Sequence, residues 1–430
     1  MIVRIRAVAF PLFVGALIAA CGGGSDSDSQ TTGSEDLAAP TDEVLNLEHS
    51  ESQLIGKVTD PEGIPVVGAT VTVGASSALT AADGFFDLEV VGPGLLSVSK
   101  SGWLTSESEW DGTQSFVRTT LERFRIRALR VGAEGVRNDS VFAEILALAD
   151  DTAVNALVFD TKQEDGKVLY DTGVEEAHEL GAVAPTYDPR RRISQAREHG
   201  LYVITRIVAF NDPFRASAVP GERLTEDWTD PTNPNSWEYP LALAAEACEM
   251  GFDEIQFDYV RFPSGIVGES SGQLDLSEDE RVDAIAAFLE EAKSRITPMG
   301  CVMSADVFGI TVSRPGDQGI GQRPEELSQH VDVFSPMVYP SHYSDGWLGL
   351  ADHNDHHYDV TADAIDDAVP RLEPGTVLRP WLQAFFWTNQ QIRRSIQAAE
   401  DREVGWILWN SVSNYSRDAI PTDAELAVSP

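Results

Sequence analysis

Two aspartates carry the strongest chemical signal in this 430-residue chain. In DEIQFDYV, residues 253–260, Glu254, Gln256 and Asp258 alternate with Ile255, Phe257 and Tyr259. A strand turns successive side chains to opposite faces, so the polar groups share one side and the apolar groups the other. CVMSADVFG, residues 301–309, repeats the arrangement, with Ser304 and Asp306 alternating with Met303 and Ala305. Each run delivers one aspartate near its C-terminal end. Cleavage of a glycosidic bond needs such a pair: one carboxyl protonates the leaving oxygen, and the other attacks the anomeric carbon or activates water. Like charges held close also push their pKa values apart, which supplies one acid and one base. The pattern makes Asp258 and Asp306 the candidates for that pair.

Both runs belong to a longer alternation that starts at Phe124. Strand-like FRIRALRV, NALVFDT, LYVITRIVAF, DEIQFDYV, CVMSADVF, VFSPMVY, VLRPWLQAF and GWILWN are separated by helical stretches such as YPLALAAEACEMG and SEDERVDAIAAFLEEAKSRI. Eight such units over about three hundred residues predict an α/β fold, a (β/α)8 TIM barrel. A doubly wound open sheet is the alternative, but no G-x-G-x-x-G follows the first strand. In a barrel one strand face packs on the helices and the other lines an interior whose upper rim is the active site. Asp258 and Asp306 then rise to the same rim from the fourth and fifth strands. Gln256 supports them, and Arg261 follows in the loop, placed to pair with Asp258 or to contact substrate. Glu254 lies deeper, as a structural group awaiting a basic or hydroxyl partner.

Other rim positions supply the groups of a sugar cleft. Asp160 and Lys162 end the second strand, Arg206 lies on the third, and Tyr339 and His342 follow the sixth. Trp381 and Gln383 lie on the seventh, and Trp409 and Asn410 end the eighth. Aromatic rings stack on pyranose faces, while carboxylates, amides and arginines bind hydroxyls directionally. The competing role for Asp160, Lys162 and Arg206 is a structural ion pair in the barrel mouth.

Residues 230–263, with SADVFG, FSPMVYPSHY and RPWLQAF, resemble the family described as "Putative glycosyl hydrolase domain" across nearly all of 124–418. FDEIQFDYVRFP is its most specific block. The family is grouped with α-amylase-like barrels, so the resemblance implies a nucleophile at the end of the fourth strand and an acid/base at the end of the fifth. Those positions are Asp258 and Asp306. Gln256 departs from that pattern, since an arginine usually stands two before the nucleophile, and Asp306 stands in place of a glutamate. The shorter acid leaves retention and inversion both open. The resemblance implies a carbohydrate substrate and a reaction class, without naming the sugar; no cofactor is expected.

The N-terminus reads as an export signal. Arg4 and Arg6 precede the apolar AVAFPLFVGALIAA, which is too short to be a convincing spanning helix. IAAC, residues 18–21, resembles the bacterial lipobox and implies lipidation of Cys21, hence a membrane anchor. Gly22 after it leans towards the outer membrane. The expected organisation is a signal peptide (1–20), a Gly/Ser/Asp tether (21–51), an all-β domain (52–122), the barrel (123–418) and a C-terminal tail (419–430). GKVTDPEGIPVVGATVTV and TAADGFFDLEVVGPGLLSVSKSGW in the all-β domain resemble the carboxypeptidase-regulatory-like family, a small transthyretin-like sandwich. The net charge of −38 repels phosphate backbones and argues against nucleic acid as a partner.

Two rival functions stand beside hydrolysis. One is a catalytically silent carbohydrate-binding or envelope-structural barrel. The other is a metal-dependent hydrolase or deacetylase using DHNDHH, residues 352–357. That segment lacks an H-E-x-x-H frame, and a solvated loop is the favoured alternative to a metal site. Cys248 and Cys301 are open to pairing or to two separate buried thiols.

Overall fold

The computed structural model describes residues 53–427 apart from 62, 91, 101 and 266–274. The signal peptide, the tether and Cys21 lie outside the described residues. Seven short strands come first: β1 (Gln53–Thr59), β2 (Thr70–Val73), β3 (Ser76–Leu79), β4 (Phe85–Glu89), β5 (Gly94–Ser99), β6 (Ser106–Trp110) and β7 (Phe116–Thr120). They form two sheets, ordered β4-β1-β7 and β3-β2-β5-β6. Every second residue of β1 is buried, and Leu54 and Val58 share one apolar core with Phe86, Leu88, Val71, Val73, Leu96 and Val98. Gly56 makes the contact possible, because a Cβ there would stand 2.4 Å from the Phe86 ring. Trp110 belongs to this core, with its indole N–H donated to the Gln114 carbonyl at 2.9 Å.

The barrel follows: β8 (Arg127–Val131), β9 (Ala156–Lys162), β10 (Tyr202–Val208), β11 (Glu254–Asp258), β12 (Val302–Phe308), β13 (Val333–Val338), β14 (Val377–Leu378), β15 (Trp381–Gln383) and β16 (Trp406–Trp409). Neighbours pair in parallel from β8 to β13, β13 pairs with β14 and β15, and β16 closes the ring onto β8. This is the expected TIM barrel of eight staves. Its seventh stave is split into β14 and β15 at Arg379 and Pro380, where proline has no N–H to donate to a ladder.

Period-2 alternation sorts the side chains between two cores. Leu157, Phe159, Ile255, Phe257, Met303, Ala305, Phe334 and Leu408 pack outward against the helices. Ala128, Ala156, Val158, Ile204 and Ile407 fill the lumen. Helix Glu278–Ile296 starts on a capping box between Ser277 and Glu280, with Glu278, Asp279 and Glu280 in its first turn. Cys248, in helix Asn235–Met250, is disulfide-bonded to Cys301 just before β12, with Cα atoms 6.0 Å apart. Of the segment expected as a C-terminal tail, residues 419–427 pack on the barrel. Ile420 is fully buried, Pro421 accepts a bond from the Ala153 N–H, and Thr422 caps helix Asp423–Leu426.

Candidate active site

β11 places its polar face inward as a ladder of three different roles. Glu254, at the base, is fully buried and ion-paired through both oxygens with Arg379, the residue at the break in the seventh stave. Gln256, one layer up, is fully buried and donates to Ser335 Oγ at 3.3 Å, while its Oε1 has no partner among the described residues. Asp258, at the top, lines a cleft of about 610 Å³ with Glu164, Arg206, Arg261, Phe308, Tyr339, His342, Trp381, Phe385 and Trp409.

The Asp258 carboxylate is held from two sides. Its Oδ2 accepts from Arg206 Nε at 2.8 Å and Nη2 at 2.7 Å, and its Oδ1 accepts the Tyr259 N–H at 2.6 Å. Tyr259 has φ of 53°, a left-handed backbone that costs a non-glycine residue energy and is concentrated at functional sites. Arg206 is register-paired with Gln256 across β10 and β11. A guanidinium therefore reaches Asp258 from the neighbouring strand.

Asp306 rises from β12 beside this pair. It is fully buried; Oδ1 accepts from the Trp381 indole N–H at 2.7 Å, and Oδ2 has no partner among the described residues. Burial first, and then the charge of Asp258, push its pKa well above the usual carboxylate range, against Trp381, Arg206 and Arg379. Tyr339 is raised likewise by burial and by the two aspartates, and burial lowers His342.

Asp160 and Arg206 are drawn into an ion network in the barrel mouth. Arg130 pairs with Asp160, and Arg206 Nη1 reaches Asp160 at 3.3 Å and Glu164 at 3.2 Å. Burial opposes ionisation of Asp160, yet Arg130 and Arg206 together hold its carboxyl below the usual range. The Arg130 and Arg206 guanidinium carbons also lie 4.1 and 5.0 Å from the Trp409 ring centroid. Trp409 and Trp381 meet edge to face at 5.4 Å, and Tyr339, His342 and Phe385 form an aromatic side wall. Gly309, also in the cleft lining, lets the end of β12 approach β13 closely, since a Cβ there would lie 2.4 Å from the Met337 carbonyl.

Three expected substrate contacts are placed elsewhere. Lys162 follows a register shift that pairs Arg206 with Asp160 but Ile207 with Lys162, leaving Thr161 as a bulge. The extra residue turns Lys162 outward, where its ammonium meets Asp212 at 3.0 Å and the Val208 carbonyl at 2.8 Å. Gln383 accepts from Ser341 N and Oγ and so fixes the loop after β13. Asn410 donates to the Ala384 carbonyl and accepts the Val412 and Asn414 N–H groups, ordering the loop after β16. Arg130 and Glu164 are the mouth residues that sequence reasoning missed. Arg130 sits two after Ala128 on the lumen face of β8, a signal that was present; Glu164 follows the bulge, where no periodicity points to it.

The histidine-rich segment is less solvated than expected. His353 and His357 are buried, and His357 packs on Trp387 at 3.9 Å with its pKa lowered to about 4 by burial, while His356 pairs with Asp359 at 2.9 Å. Among the described residues no three His, Cys, Asp or Glu side chains gather as a metal site.

Residues 128–415 match the family described as "Putative glycosyl hydrolase domain", and the chain belongs to that family. The fold is shared with the PgaB (BpsB) glycoside hydrolase domain from Bordetella bronchiseptica, at TM-score 0.52 and 12% identity over 69% of this chain and 99% of that one. A hypothetical protein from Ruminiclostridium thermocellum ATCC 27405 is 34% identical over 42% of this chain and 97% of its own, at TM-score 0.37. The endo-beta-1,4-mannanase from Thermotoga petrophila aligns at TM-score 0.45 and 12% identity, covering 70% and 72% of the two chains. No curated protein matches the chain in sequence.

Proposed function

We propose that the chain is a glycoside hydrolase that cleaves a poly- or oligosaccharide with Asp258 and Asp306, and that it acts outside the inner membrane as a lipoprotein anchored through Cys21. The observation that carries the catalytic half is the contrast between two neighbouring carboxyls. Asp306 is buried, forced towards its protonated form and left with one oxygen unpartnered. Asp258 borders the cleft as a carboxylate paired with Arg206. That is the division of labour of an acid and a nucleophile or base.

In this mechanism a sugar ring lies in the cleft against Trp381, Trp409 and Tyr339. Asp306 gives its proton to the glycosidic oxygen as the bond breaks, and Asp258 supplies the electron pair on the other side, directly or through water. Arg206 holds Asp258 in place and balances its charge before attack. Asp306 is enclosed, so the covering side chains shift as the glycosidic oxygen reaches Oδ2. The anchor rests on the lipobox resemblance, and the Cys248–Cys301 disulfide suits an oxidising compartment. The all-β domain is a spacer between tether and barrel.

The Arg206–Asp258 ion pair also favours a second function, a silent barrel that binds glycans without cutting them. A glycan panel screened with wild type, Asp258→Asn and Asp306→Asn, each checked for folding, separates the two. Hydrolysis lost in both variants supports the catalytic pair; hydrolysis that survives both substitutions sinks it, and saturable binding without any hydrolysis selects the silent barrel.

A further inference from the structure

Three arginines border the cleft or the ion network at its floor, and their charges are not balanced alike. Arg130 pairs with Asp160, and Arg206 pairs with Asp160, Glu164 and Asp258. Arg261 also lines the cleft, yet among the described residues no carboxylate oxygen lies within ion-pair distance of it. Its guanidinium carbon sits in a box of three rings, 4.7 Å from Trp228, 5.1 Å from Tyr259 and 4.4 Å from Phe308. Nη1 donates to the Phe262 carbonyl at 2.9 Å, the one protein acceptor the side chain has among the described residues. The residue is 8% exposed, none of its nitrogens is both sealed and unpartnered, and its side chain is part of the cleft lining, so its unused donors keep some exposure there.

A buried guanidinium without a counter-ion is costly, and ring faces replace only part of its hydration. A neutral hydroxyl needs no fixed charge for recognition. A planar fork of donors matches a carboxylate or sulfate, which would also neutralise it. The neighbouring Asp258 is already committed to Arg206. The net charge of −38 repels an anionic polymer at long range, so selection of one has to come from a short contact in the cleft.

We infer that Arg261 is the recognition point for an anionic substituent of the glycan, so that the substrate is an acidic saccharide carrying carboxylate or sulfate groups. This rests on the glycoside hydrolase function but has its own test. Trp228 packs on the guanidinium, so tryptophan fluorescence of the full chain reports ligand binding there. Glucuronate, its neutral methyl ester, glucose 6-sulfate and glucose are titrated into wild type and Arg261→Gln. At least one anion binds about tenfold tighter than its neutral counterpart in wild type, as a charge-assisted pair of hydrogen bonds implies. That preference disappears in Arg261→Gln, and the stronger of the two anions identifies the substituent. Neutral sugars binding as well as both anions, a preference that survives Arg261→Gln, or no saturable response to either anion overturns the inference. Should Arg261→Gln not fold, Arg261→Lys keeps the charge without the fork and must weaken the preference; an undiminished preference overturns it equally. Selective anion binding without hydrolysis of any glycan sinks only the catalytic function. Hydrolysis of neutral glycans that Arg261→Gln leaves unchanged sinks only this inference.

Discussion

The Trp381 indole N–H donates to Asp306 Oδ1 at 2.7 Å, while Oδ2 of the same carboxyl faces no partner among the described residues. One oxygen is thereby fixed and the other kept for a proton. Burial and the charge of Asp258 favour that proton, and the Trp381 bond opposes it. The balance between these effects sets the pH at which Asp306 ionises.

The alkaline limb of kcat/KM therefore belongs to Asp306, with activity falling as pH rises through its raised pKa. Trp381→Phe removes a bond that favours the carboxylate, so the limb moves to higher pH even where the rate itself drops. A pH–rate profile of the two proteins on one hydrolysed glycan checks this. A limb that stays in place or moves to lower pH refutes the assignment.

Stability follows the same proton. The folded-state pKa of Asp306 is raised, so its contribution is fully present below the unfolded carboxylate value and is lost as pH climbs through the folded value. Across that window the loss approaches about 1.4 kcal/mol per pH unit. Asp306→Asn keeps the shape without the ionisation, so it is more stable than wild type at neutral pH while impaired on the natural linkage. Urea unfolding at several pH values measures the difference, and parallel stability curves for the two proteins contradict it.

Glu254 and Arg379 form a fully buried pair at the base of the lumen, away from the cleft. Arg379→Met leaves Glu254 uncompensated and costs about 3–5 kcal/mol. The double substitution Glu254→Leu with Arg379→Met recovers most of that loss, because no charge then remains buried. Denaturant midpoints of both variants test the pairing. Equal losses in single and double variants count against it.

Much of the barrel was legible because its strands alternate so strictly. Ile255 and Phe257 face helices, Glu254 and Asp258 face the lumen, and the alternation in residues 253–260 already says so. Asp306 was legible for the same reason. Lys162 was not, because a single bulged residue at Thr161 reverses the face of everything after it and leaves no mark in composition. Gln383 and Asn410 show a different limit: an amide near a strand end serves a loop backbone as readily as a sugar, and only the finished loop decides. The Cys248–Cys301 bond depends on a Cα separation that no spacing of 53 residues reveals. Arg206 was expected at the rim, but its grip on Asp258 required knowing which residues β10 and β11 set side by side.

The central claim is that Asp306 protonates the leaving group and Asp258 acts on the anomeric centre. Its most direct test compares one sugar carried on two leaving groups, its natural linkage and a dinitrophenyl glycoside whose departure needs no proton. On the natural linkage Asp306→Asn loses about 10²–10⁴ in kcat/KM, as expected for a missing general acid, yet it keeps most of its activity on the dinitrophenyl glycoside. Asp258→Asn loses both. An Asp306→Asn enzyme impaired equally on both substrates, or an Asp258→Asn enzyme that still cleaves either, contradicts the account.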